Sequence, residues 1–97
     1  MPYIRDEARH KFEKSITELA TYISSKGDLN YVICEIVGKI LLKNFDFDSY
    51  TQISNWIDGV HGAERELTRR LLNPYEDLKI AENGDVSSFK EILRRMK

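Results

Sequence analysis

Apolar residues return at steps of three and four along almost the whole chain, and that spacing makes a helix face rather than a strand face. Phe12, Ile16, Leu19 and Ile23 recur at steps of four, three and four, with Ala8 and Ala20 beside them. This predicts a first helix over about Asp6 to Ser25, with Asp6 as its cap and Lys26-Gly27 as its stop. Asp28 then reads as the N-cap of a second helix, about Leu29 to Lys43. Its stripe of Leu29, Val32, Ile33, Ile36, Val37, Ile40 and Leu41 is the most hydrophobic in the chain and is expected to be the most buried. So short a joint predicts an antiparallel helix hairpin.

Asn44 to Asp48 reads as a linker whose Phe45 and Phe47 plug the open end of the core. Asp48 or Ser49 would cap a long third helix, about Tyr50 to Leu72, with Tyr50, Ile53, Ile57, Val60, Leu67 and Leu71 on one seam. Asn73-Pro74 interrupts it, because proline lacks a donor and clashes with the preceding turn. Asn73 suits an N-cap and Glu76 a capping box, so a short helix is expected from Pro74 to about Glu82, closed by Asn83-Gly84. Ser87 or Ser88 would cap a tail helix carrying Phe89, Ile92, Leu93 and Met96, with Ser88 and Glu91 as a second capping box. The expected fold is therefore all-α: a small bundle of four to five helices. It forms a single domain over residues 1–97, with an N-terminal arm over 1–5 and a tail over 87–97.

Composition narrows the function. With 15 basic against 16 acidic residues, the chain lacks the strong positive charge of a general nucleic-acid binder. The single Cys34 leaves no internal disulfide framework and no cysteine-based zinc site, and reads as a small core residue. No apolar run reaches the ~20 residues of a membrane span, and no secretory leader is recognisable at the N-terminus. The expected setting is soluble and cytoplasmic. No phosphate loop, nucleophile elbow or Cys–His pair appears, so the expectation is not an enzyme, with no cofactor and no metal.

Four features invite a functional reading beside a structural one. Glu64 falls inside the apolar seam of the third helix, and is either satisfied by a partner, at a turn open to solvent, or a ligand or proton-transfer group. His61 stands one turn from Asp58 and from Glu64, but the metal-bundle pattern needs two such helices, so no metal site is expected. Gly59, Gly62 and Ala63 form a small-residue flank, suited to close helix packing within the monomer or to a homodimer contact. Arg69 and Arg70 precede the helix start expected at Pro74, where backbone N–H groups and guanidinium groups would seat an anion unless Glu76 and Asp77 fill that seat themselves. Glu66 and Arg70 have the spacing of a helical ion pair.

Met1-Pro2-Tyr3-Ile4, Leu29-Asn30-Tyr31-Val32-Ile33, Arg69-Arg70, Pro74-Tyr75-Glu76-Asp77, Lys79-Ile80 and Glu82-Asn83-Gly84-Asp85-Val86 together resemble an uncharacterised family of small proteins encoded by phages, bacteria and archaea. The resemblance covers about residues 1–86, departs at His61-Gly62 and Thr68, and leaves the tail from Ser87 as an addition. It brings no activity, but it implies a shared set of polar and aromatic residues. Tyr3, Asn30, Tyr31, Arg69, Arg70 and Tyr75 are the candidate ligand-binding residues, either as a pocket with aromatic walls or as a polar lock. The expected function is a non-enzymatic, homo-oligomeric binding protein holding a small anionic, nucleotide-like ligand. The alternative is a protein–protein interaction module, such as an inhibitor or adaptor of a host protein.

Overall fold

A computed structural model describes residues 2–43 and 49–96. The described chain is all-α: α1 (Asp6–Tyr22), α2 (Lys26–Lys43), α3 (Ser49–Leu67), a π turn (Thr68–Leu72), α4 (Asn73–Asn83) and α5 (Ser87–Arg95), with no strand among the described residues. Contacts group the chain into two compact units, Met1–Gly62 and Ala63–Lys97. The expected linker Asn44–Asp48, its plugging role for Phe45 and Phe47, and capping by Asp48 or the Ser49 side chain lie outside what is described.

In the first unit, α1 begins one residue after an extended Arg5, whose carbonyl accepts the Ala8 N–H at 2.9 Å. Asp6 is therefore not the cap. It lies in the first turn beside Glu7, where carboxylates favour the helix dipole, and pairs with Arg9 at 3.3 Å. The helix ends at Tyr22, and Ile23 turns extended while its N–H still reaches the Leu19 carbonyl at 3.1 Å.

The start of α2 also differs from expectation. Ser25, not Asp28, caps it: the Ser25 hydroxyl accepts the Asp28 N–H at 3.1 Å, and the Ser25 carbonyl accepts the Leu29 N–H at 3.1 Å. Asp28 sits three residues later and reaches back, its Oδ2 accepting the Ser24 N–H at 3.0 Å and the Ser24 hydroxyl at 3.2 Å. This reciprocal arrangement is close to a capping box, and it draws Lys26 and Gly27 into the helix rather than leaving them as a stop. Val32, Ile33, Val37, Ile40 and Leu41 are half-buried, so α2 carries most of the first unit's covered apolar surface. None of them is fully buried, and no described residue of either unit is.

In the second unit, the end of α3 passes into the π turn and on into α4 without leaving helical dihedrals. Leu72 (φ −71°, ψ −47°) and Asn73 (φ −62°, ψ −47°) are both helical, so Asn73 does not cap a new helix. The irregularity expected at Asn73-Pro74 is a widened turn placed before the proline. A proline ring collides with the carbonyl four residues back, and a wider turn is one way for a helix to accommodate it. α4 stops at Asn83, as expected from Asn83-Gly84. Gly84 has φ +88°, a conformation that side-chain-bearing residues rarely adopt, and its N–H bonds the Ile80 carbonyl at 2.8 Å.

α5 is capped by neither serine. Val86 holds the N-cap position without a side-chain bond, and its carbonyl takes the Lys90 N–H at 3.0 Å. Glu91 serves no capping box, because Arg94 (2.6 and 2.9 Å) and Arg95 (3.0 Å) draw its carboxylate toward the C-terminal end. Charge-assisted bonds of this kind are stronger than a neutral capping bond.

Candidate binding surfaces

The elbow between α1 and α2 forms the first surface. Leu19, Tyr22 and Ile23 from the end of α1 and Asp28, Tyr31 and Val32 from the start of α2 line an open cleft of about 280 Å³. The three-residue joint Ile23–Ser25 creates it, since the Ser25 cap and the Asp28 bonds to Ser24 fix the angle of entry into α2. The Ser24 N–H and hydroxyl, then Ser25, hold the Asp28 carboxyl below the ordinary carboxylate range. Otherwise the walls are apolar or aromatic.

The second surface lies at the π turn. Glu64, Arg65, Thr68, Arg69 and Asn73 line a shallow cleft of about 430 Å³. The Thr68 hydroxyl donates to Glu64 Oε1 at 3.4 Å, and Arg69 Nη2 pairs with Glu66 Oε2 at 2.8 Å. Glu64 is exposed, so the seam opens to solvent at that turn and the carboxylate is not a buried anomaly. The cleft offers guanidinium, hydroxyl and amide groups for an anion, with one carboxylate opposing it.

The candidate residues read from sequence divide between the units. Tyr3, Asn30 and Tyr31 belong to the first, and Arg69, Arg70 and Tyr75 to the second. Tyr31 lines the elbow cleft. Asn30 turns its Oδ1 to the Cys34 thiol at 3.8 Å, and Tyr3 is partly exposed on the N-terminal arm. Cys34 itself is exposed and not a core residue, because no other described helix of its unit packs over its shoulder of α2. In the second unit, Arg69 lines the π-turn cleft, while Tyr75 is covered on one side by the Lys79 ammonium, 5.6 Å from the ring centroid. Sequence reasoning missed Leu19, Ile23 and Val32 as lining residues, having placed them on the apolar faces of the first two helices, and it gave Tyr22 no role. The signal was available in Ser25-x-x-Asp28, which ends one helix and starts the next at a fixed angle. Arg65, Thr68 and Asn73 were missed because the π turn that gathers them has no sequence signature of its own.

Other features resolve simply. Among the described residues no three His, Cys, Asp or Glu side chains gather to hold a metal ion, and His61 is exposed. A Cβ placed on Gly59 or Gly62 would meet no described atom within 4 Å, so these glycines do not serve close packing within the described chain. No described helix is long and apolar enough to cross a membrane.

Residues 1–86 match the model of a domain of unknown function, DUF6899. The chain belongs to that family, and α5 lies beyond the matched region. No curated protein and no solved structure matches the chain.

Proposed function

We propose that the chain is a helical protein–protein interaction module that acts as a homo-oligomer and is not an enzyme. One observation carries this reading: no described residue is buried, although apolar side chains line every α-helix. Ordering a residue costs about 1–2 kcal/mol of backbone entropy, which burial of apolar area must offset. Helices whose apolar faces stay wet do not meet that cost, so a partner has to cover them. A second copy is the partner always present at the right stoichiometry. The resemblance to small phage and prokaryotic proteins supports a cytoplasmic setting, that of the host where the chain is phage-encoded, with a host protein as the further partner.

Thermal unfolding across a hundredfold range of protein concentration tests this. Folding coupled to assembly makes the midpoint rise with concentration. A midpoint that does not move contradicts the reading.

The second reading, sequestration of a small anionic ligand, draws on the π-turn cleft, where Arg65, Thr68, Arg69 and Asn73 supply donors. Titration with nucleotides, read by thermal shift, tests it.

A further inference from the structure

α5 stands outside the region that defines the family and has the pattern of a helix that docks. Phe89, Ile92, Leu93 and Met96 fall at i, i+3, i+4 and i+7, the spacing by which an amphipathic helix inserts into a groove. They are 57%, 53%, 54% and 74% exposed, and no other described helix of its own unit packs on α5. The opposite side is pre-ordered by the Glu91 bonds to Arg94 and Arg95. A helix already held in its bound shape has less entropy to lose on docking.

Charge indicates what it docks on. Residues 87–97 carry Lys90, Arg94, Arg95 and Lys97 against Glu91, a net +3. Residues 1–86 carry 11 basic against 15 acidic residues, a net −4. Tail and body are therefore electrostatically complementary, which steers one copy's tail toward another copy's body and disfavours tail-to-tail pairing. Within the body, the elbow cleft has the matching surface: Leu19, Ile23 and Val32 between two tyrosines, with Asp28 as its one charged group. At about 280 Å³ it falls just below the range of small-molecule pockets but suits an inserted side chain or two.

We propose that α5 of one copy docks in the elbow cleft of a second copy, its apolar face against Leu19, Ile23 and Val32 and Lys90, on the flank of that face, toward Asp28. The proposal rests on the homo-oligomer reading and names the contact that builds it.

The test unfolds and refolds together full-length protein of natural isotope content and fully 15N-labelled protein, so that the chains exchange, and then adds an amine-reactive cross-linker. Lys90 on α5 and Lys26 in the first turn of α2 are the reporting pair. The expected result is abundant Lys90–Lys26 links joining light to heavy chains, reduced roughly tenfold in full-length Leu93→Glu and in full-length Val32→Glu, as for loss of an interface anchor. Because folding is coupled to assembly, helicity by circular dichroism is expected to fall in both variants at low micromolar protein and to recover as the concentration rises. Links confined to chains of one isotope, Lys90–Lys90 links alone, or links unchanged by both variants overturn the docking. So does a loss of helicity in both variants that no rise in protein concentration restores, because both positions would then be structural. An oligomer that lacks the Lys90–Lys26 link contradicts only this contact, whereas a strictly monomeric chain contradicts the homo-oligomer reading as well.

Discussion

Asn73 donates its backbone N–H to the carbonyl oxygen of Thr68, five residues back and one residue before Pro74. That bond defines the π turn and explains how the second unit keeps a helical course past a proline. It also gathers Thr68, Arg69 and Asn73 around one cleft.

Replacing the proline tests the cause. Proline in a helix interior is disfavoured by about 3 kcal/mol relative to alanine. Pro74→Ala is expected to raise stability by roughly 1–3 kcal/mol, since the widened turn absorbs part of the strain. Urea unfolding measures the gain, and amide exchange is expected to show added protection between Thr68 and Asp77. A loss of stability would mean that the ring itself makes essential contacts.

The elbow depends on its cap. Ser25→Ala removes the hydroxyl that accepts the Asp28 N–H and is expected to cost about 1 kcal/mol. The loss should concentrate in amide protection at the first turn of α2. Equal losses along the whole helix would contradict a capping role.

Acid should loosen the same joint. The Asp28 carboxyl is held below its ordinary range by the Ser24 N–H and hydroxyl, then by Ser25, so the folded state favours the ionised form. The contribution is full above the ordinary carboxylate pKa. It is lost as the pH falls below about 4 and through the lowered folded value. Helicity at 222 nm followed from pH 7 to pH 2 is expected to fall over that window. Asp28→Asn should remove Asp28's share of the change, leaving the part due to Glu91, whose carboxyl Arg94 and Arg95 also hold below the usual range.

The π-turn cleft yields a separate prediction. Arg69→Ala breaks the 2.8 Å pair with Glu66, an exposed i,i+3 contact, and is expected to cost no more than about 0.5 kcal/mol. If the cleft holds an anion, the same change abolishes the thermal shift given by a nucleotide. Nucleotide binding that survives in Arg69→Ala would remove this cleft from the function.

The helices themselves were legible because their apolar residues keep the helical period. Phe12, Ile16 and Leu19, the α2 stripe from Leu29 to Leu41, and Phe89, Ile92 and Leu93 all fall in helices, while Ile23 and Met96 stand one residue past the ends of α1 and α5. Helix ends were less legible, since the same residues offer competing caps. Asp28 can cap α2 or support Ser25 as cap, and the pair of bonds to Ser24 favours the second. Asn73-Pro74-x-Glu76 reads as a helix start, yet helical backbone reaches it from Thr68 and leaves no end to cap. The candidate site was legible only in part. Tyr31 and Arg69 each line a cleft, but Tyr75 carries Lys79, and Asn30 carries the Cys34 thiol. Periodicity reports which residues share a face and is silent on what covers that face.

What covers those faces is the central matter, and the mass of the native particle tests it most directly. Light scattering on the full-length chain at micromolar concentration is predicted to give about 23 kDa or a higher multiple of the 11.4 kDa protomer. A single species of 11.4 kDa that persists to high micromolar concentration would contradict the account.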